Sequence, residues 1–120
     1  MDIANPRVVS VDLAFETSQG ISDARISVTG RLAIESSPRL RALLLKAIRN
    51  GTYAVLVIDL SGLSYLDTSG VATLLDAASV ASAKGMCLRV VGLSGEPKML
   101  AQVAEIDRIF DAFGSELDLS

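Results

Sequence analysis

The feature that most restricts the fold is a strand-helix-strand run in the middle of the chain. Ala54-Val55-Leu56-Val57-Ile58 is continuously apolar and is bounded by Gly51-Thr52 and by Asp59. Such a run fits a central strand covered on both faces. From about Ser69 to Lys84 the residues Val71, Leu74, Leu75, Ala78 and Ala81 recur at helical spacing, and Gly85 stands where a cap belongs. Cys87 to Val91 then returns as a strand. Strand, helix and strand in that order make a right-handed parallel crossover.

The flanking segments extend this unit. Val8 to Phe15 and Ala24 to Thr29 alternate in polarity, are separated by a turn-like stretch from Glu16 to Asp23, and predict a hairpin whose second strand ends at Gly30. Ser36-Ser37-Pro38 predicts a helix start, with a Ser cap and Pro in the first turn. Leu40, Leu43, Leu44, Ala47 and Ile48 follow as its apolar stripe, and Asn50-Gly51 predicts a left-handed stop. Arg39, Arg41, Lys46 and Arg49 lie mostly off that stripe, as on a solvated face, with a basic partner site as the alternative. Gly92 to Pro97 reads as a loop that opens a further helix, with Met99, Leu100 and Val103 inward. Ile106, Ile109, Phe110 and Phe113 predict a short last helix, and the polar tail after Gly114 is expected to fray.

Composition removes whole classes of function. With 120 residues the chain is expected to form one domain over 1–120, with a core spanning about 8–113. Half the residues are hydrophobic but only 4% are aromatic, so the core must be built from Val, Ile, Leu and Ala. A net charge of −3 argues against a nucleic-acid-binding surface. The absence of His removes Ser-His-Asp and Cys-His catalysis and the commonest metal ligand. The single Cys87 excludes an internal disulfide and reads as a buried, inert thiol. There is no phosphate loop of the form G-x-x-x-x-G-K-[ST]. Asp59 and Asp67 could in principle hold a metal, but Asp59 reads better as a strand end that ties down a loop. No enzyme, cofactor or metal is therefore expected. Met1 to Pro6 does not resemble a signal peptide, and no apolar run is long enough to span a bilayer, so a cytoplasmic location is expected.

The polar stretch between strand and helix carries the chemistry. It runs Asp59-Leu60-Ser61-Gly62-Leu63-Ser64-Tyr65-Leu66-Asp67-Thr68-Ser69-Gly70. Asp67, Thr68 and Ser69 converge at the helix start, where small polar side chains cap free backbone amides and Gly70 relieves crowding. The same place suits a switch. The end of a parallel strand is where α/β sheets put their sites. Phosphorylation of a hydroxyl there would add about −1.5 to −2 charge units. A helix N-terminus tolerates that charge, while a docked partner feels it. The expected docking surface is Ser61 to Ser69 together with the outer helix face of Ala72, Thr73, Asp76 and Ser79.

From Val57 to Phe110 the chain resembles a STAS domain, the module of bacterial anti-sigma factor antagonists and of the cytoplasmic ends of sulfate-type anion transporters. The stretch from Asp59 to Gly70 is similar to the family's D-L-S-x-V-x-x-I-D-S-S-G. Val71 with Leu74-Leu75, Ala83-Lys84-Gly85 before a strand, and Ile106-Asp107-Arg108-Ile109-Phe110 match further family features. The resemblance covers most of the chain, more loosely before Ala54. It implies a mixed four- to five-stranded sheet with about four helices packed mainly on one side.

For function, the resemblance implies an anti-sigma factor antagonist. Its partner would be an anti-sigma factor with kinase activity, which binds the unphosphorylated chain and phosphorylates Ser69, with Thr68 as second choice. Asp59, Ser61, Gly62, Ser64, Asp67, Thr68, Ser69, Gly70, Ala72, Thr73 and Asp76 are the partner-binding candidates. Two residues depart from the pattern. Antagonists often carry Gly-Glu-Leu-Asp after the second strand, and this chain has Gly30-Arg31-Leu32-Ala33, with Ala33 at the acidic position. Glu105 stands where the family usually has Gly, in a turn that would strain it if φ is positive. The alternative is a STAS subunit or domain serving an anion or lipid transporter, with a membrane permease as partner. A homodimer through an edge strand is also open.

Overall fold

The computed structural model describes the backbone of residues 10–18 and 21–23 and the whole of residues 24–119. The expected start of the first strand at Val8, the Gln19-Gly20 turn and the Met1 to Pro6 segment lie outside the described residues. The elements follow in the order β1 (Ser10–Ser18), β2 (Ile21–Leu32), α1 (Ser37–Asn50), β3 (Val55–Leu66), α2 (Thr68–Lys84), β4 (Cys87–Val91), α3 (Gly95–Val103), α4 (Ile106–Ala112) and β5 (Glu116–Leu117). All the strands lie in one sheet in sequence order. β1 is antiparallel to β2, and β2 through β5 run parallel. The mixed sheet, the hairpin and the parallel crossover are thus as the sequence indicates.

One face of the sheet makes the core. Ala24, Ile26 and Val28 of β2, Leu56, Ile58 and Leu60 of β3, and Leu88 and Val90 of β4 are buried. They share one cluster with Leu40, Leu44 and Ile48 of α1, Leu74, Ala78 and Ala81 of α2, and Ile106 and Phe110 of α4. The opposite face is not sealed, since Arg25, Val55, Val57, Asp59, Cys87 and Val91 are half-buried and Arg89 is exposed. Coverage of β3 on both faces is therefore not observed. A continuous apolar run does not report burial by itself, because alternate side chains point to opposite faces whatever their polarity.

Other boundaries move for local reasons. The strands of the hairpin extend through the stretch read as turn, with Glu16 opposite Asp23 and Ser18 opposite Ile21. β2 passes Gly30, and β3 passes Asp59 to Leu66. Register shifts between Ser27 and Thr29 and between Gly30 and Arg31 absorb the irregular pairing. Gly62 sits at this irregularity, where a Cβ would meet Thr29 Cγ2 at 2.6 Å. The segment read as a polar loop is thus mostly strand.

Helix ends differ too. α1 does not stop in a left-handed residue, because Gly51 is extended at φ −80° and ψ 146°. Instead the Lys84 ammonium donates to the carbonyls of Ile48 at 2.7 Å, Arg49 at 2.5 Å and Gly51 at 2.9 Å. α2 ends as expected, with left-handed Gly85 donating to Ala81 and Ser82. In α1, Leu45 is buried and Leu43 is 36% exposed. Met99 and Val103, expected inward, are 62% and 83% exposed, and the helix buries Pro97 and Ala101 instead. The tail is pinned rather than frayed. The buried Ser115 hydroxyl accepts from the Leu88 amide at 2.9 Å, and the Asp118 amide donates to Val90 at 2.9 Å.

Candidate functional site

The site lies where β3 turns into α2, against the loop joining β2 to α1. Asp67 is extended, at φ −116° and ψ −175°, so it ends the strand and caps the helix. Its Oδ1 accepts from the Ser69 amide at 3.0 Å, the Gly70 amide at 3.2 Å and the Ser69 hydroxyl at 2.5 Å. The Asp67 amide donates to the Leu32 carbonyl at 3.2 Å, which ties this turn to the end of β2. Partial burial works against ionisation of Asp67. The Ser69 hydroxyl and the amides of Gly70, Ser69 and Ile34 outweigh it and hold the carboxyl below the usual aspartate range.

The neighbouring loop is stitched by serines. Ser36 does not cap α1 with its side chain. Its hydroxyl accepts from the Ala33 amide at 3.0 Å and donates to the Arg31 carbonyl at 2.8 Å, closing the loop on itself. Ser37, 5% exposed, brings its hydroxyl within 3.1 Å of the Ser69 hydroxyl. Ser69 is half-buried and Thr68 is exposed. Ile34, 74% exposed, stands in the same loop. Arg31 lies over the Tyr65 ring at 4.1 Å, just upstream of the turn.

These contacts gather some of the candidates and scatter others. Asp67, Thr68, Ser69 and Gly70 form the site, and the Ser64 hydroxyl reaches the Gly30 carbonyl at 3.3 Å close by. Because β3 is extended, Asp59 lies roughly 20–25 Å back along the strand. There its Oδ1 accepts from the Ser61 amide at 2.9 Å and its Oδ2 pairs with Arg25 at 2.6 Å. The Ser61 amide and hydroxyl lower its pKa most, burial raises it by less, and Arg25 lowers it further. Asp59 and Ser61 thus flank Gly92, where a Cβ would meet Ser61 N at 2.7 Å and Asp59 Oδ1 at 2.8 Å. Asp59 and Asp67 do not converge, and among the described residues no group of three potential His, Cys, Asp or Glu ligands gathers.

On α2, Ala72, Asp76 and Ser79 are exposed as expected, and Asp76 pairs with Arg41 at 3.3 Å. Two of the partner-binding candidates are not on the surface. Thr73 is 4% exposed and belongs to the buried stripe. Gly70 is buried, and a Cβ there would meet Leu66 Cδ1 at 2.6 Å and Leu32 Cγ at 2.8 Å. Its role is to let the helix start against the end of β2. The sequence reading missed Ile34, Ser37 and the Arg31–Tyr65 contact as parts of the site. The Ser36-Ser37 pair was the available signal, but it looked like a helix start alone.

Chemically, a half-exposed alcohol is held against an ionised carboxylate at a helix start. Cys87 is set apart from this chemistry on β4, where burial, with Glu116 adding to it, pushes its thiol pKa up. Among the described residues no helix is long and apolar enough to cross a membrane.

Comparison with known proteins places the chain in a family. No curated protein sequence matches the chain. Among solved structures, the anti-sigma factor antagonist SpoIIAA in its unphosphorylated form is 20% identical, with a TM-score of 0.64 over 91% of this chain and 87% of that one. The phosphorylated form of SpoIIAA, a Bacillus cell-fate determinant, is 18% identical, with a TM-score of 0.63 over 91% of both chains. An anti-sigma factor antagonist from Mycobacterium paratuberculosis is 18% identical, with a TM-score of 0.68 over 95% of this chain and 90% of that one. At these identities the likeness is one of fold. The family described as "Mlab, STAS domain" matches residues 15–112, from within β1 to the end of α4, and the chain belongs to this STAS family.

Proposed function

We propose that the chain is a protein-binding regulatory module, an anti-sigma factor antagonist switched by phosphorylation of Ser69. The observation that carries this reading is the half-buried Ser69 hydroxyl, accessible in part and held at 2.5 Å from Asp67 at the first turn of α2. A phosphate at that position stands at the positive end of the helix, so the fold tolerates it. A partner seated on Thr68, Ser69, Ala72 and Ile34 meets new bulk and about two negative charges beside Asp67. The similar structures include one protein in both unphosphorylated and phosphorylated forms, which supports a switch without refolding. The partner is an anti-sigma factor with kinase activity, and the whole of 1–120 acts as one cytoplasmic module.

The test is incubation with lysate of the source cell and ATP, followed by phosphosite mapping and pull-down. Phosphate on Ser69, and partner binding lost in Ser69→Asp but kept in Ser69→Ala, is the expected result. Equal binding by the two variants overturns the switch.

A second reading, a STAS subunit serving an anion or lipid transporter, is favoured by Ala33. At the position where the antagonist pattern resembled by this chain often has an acid, Ala33 places a methyl group that is 4% exposed. It predicts recovery of a membrane permease with wild type and Ser69→Asp alike.

A further inference from the structure

We propose that Ser37 is a positioning residue for the reaction at Ser69: it fixes the direction of the Ser69 hydroxyl and selects Ser69 over Thr68. This rests on the reading of Ser69 as the phosphorylated residue. The direction of each hydrogen bond follows by elimination. Asp67 is an ionised carboxylate and can only accept, so the 2.5 Å contact is donated by Ser69. Ser69 has one hydroxyl hydrogen, and it is thereby used. The 3.1 Å contact between the two serine hydroxyls must then be donated by Ser37. The chain runs Ser37 to Ser69 to Asp67 and cannot run in reverse while Asp67 is ionised.

The burial of Ser37 makes this contact obligatory. Ser37 is 5% exposed, so its hydroxyl needs a hydrogen-bond partner, and among the described residues Ser69 is the one it has. Ser37 is placed by the start of α1 and Ser69 by the start of α2, so the contact also joins the two helices where they meet the sheet. Thr68 lies next to Ser69 and is more exposed, yet it has neither the carboxylate contact nor the serine contact. Exposure alone would favour Thr68; the orienting contacts favour Ser69.

In the transfer, one lone pair of Ser69 Oγ accepts from Ser37 and the other attacks the terminal phosphorus of a nucleoside triphosphate held by the partner kinase. The Oγ–P bond forms, the bond from that phosphorus to its bridging oxygen breaks, and the electron pair leaves with the nucleoside diphosphate. The Ser69 proton passes to Asp67 Oδ1 and from there to water. Ser37 gives up no proton. It holds Ser69 in the rotamer that aims its hydrogen at Asp67, and afterwards donates to the ester oxygen.

The experiment compares wild type, Ser37→Ala, Ser37→Thr and Ser69→Ala in lysate of the source cell with labelled ATP. It measures the initial rate against chain concentration and the share of label on Ser69 and Thr68. Ser37→Ala is expected to lower the maximal rate about tenfold, the scale of one lost orienting hydrogen bond. Half-saturation should stay within about twofold, and the share on Thr68 should rise. Ser37→Thr, which keeps the hydroxyl, should recover most of the rate. If Ser37→Thr does not fold, the rate and site distribution of Ser37→Ala decide. Wild-type rate and site distribution in Ser37→Ala overturn the positioning role, as does a loss confined to half-saturation. Label entering wild type at neither residue overturns the phosphorylation reading itself, and this role with it.

Discussion

Asp67 illustrates how much one side chain does at this junction. It caps α2, receives the Ser69 hydroxyl and draws in the Ile34 amide. We expect Asp67→Ala to cost about 1–2 kcal/mol at pH 7, the usual range for a lost N-cap. Its folded pKa is depressed, so its ionic contribution is fully present above the unfolded aspartate pKa and is lost as pH falls through the folded value. Urea unfolding of wild type and variant should therefore show a gap at pH 7 that narrows as pH falls below the unfolded aspartate pKa of about 3.9. A gap that does not change with pH would show that the charge contributes nothing. At the same scale, Glu105 adopts φ 52° and ψ 36°, the left-handed conformation anticipated for a position the family usually gives to Gly. That strain was legible only through the resemblance, which sets a Gly at this turn. The bond from Ser37 was not legible, because its partner lies 32 residues away in sequence.

Elements end where neighbours allow, and α1 shows this. Its sequence offers Asn50-Gly51, yet the terminal carbonyls are satisfied by Lys84 from the last turn of α2. The ammonium is a cation at a helix C-terminus, favourable on charge grounds as well. Lys84→Met keeps most of the aliphatic stem and removes the donors, and is expected to cost about 1–2 kcal/mol. Thermal unfolding measures it, and amide exchange should quicken first at Ile48 to Gly51. An unchanged midpoint would mean that water replaces the ammonium without loss. α3 makes the complementary point. Met99 and Val103 fit an apolar stripe by spacing, but α3 is short and rests on the sheet through Pro97 and Ala101. Periodicity gives a helix, not the angle at which it lies down.

At the scale of the whole molecule the sheet is closed by a two-residue strand. β5 is held by its pairing with β4, where Arg89 lies opposite Glu116, and by buried Ser115, which accepts from Leu88 in the middle of the core strand. Ser115→Ala leaves that amide without its acceptor in a buried place and is expected to cost about 1–3 kcal/mol. Chemical denaturation measures the loss. Amide exchange should show Leu88 and residues 116–118 losing protection together. Protection lost in the tail alone would show that β5 is an appendage and does not help to hold β4. The parallel order β2-β3-β4-β5 leaves one sheet face for the helices, and every buried strand residue named above points to it.

Sequence alone determined the class of fold, the parallel crossover and the turn that carries Asp67, Thr68 and Ser69. Those features follow from local periodicity, caps and composition, which act over a few residues. Tertiary structure decided which candidates share a place. It carried β3 on to Leu66, so Asp59 moved far from Ser69. It turned Thr73 and Gly70 inward, and it brought Ser37 and Ile34 from another loop to the switch. Such choices depend on register and on helix packing, where residues distant in the chain compete for the same space.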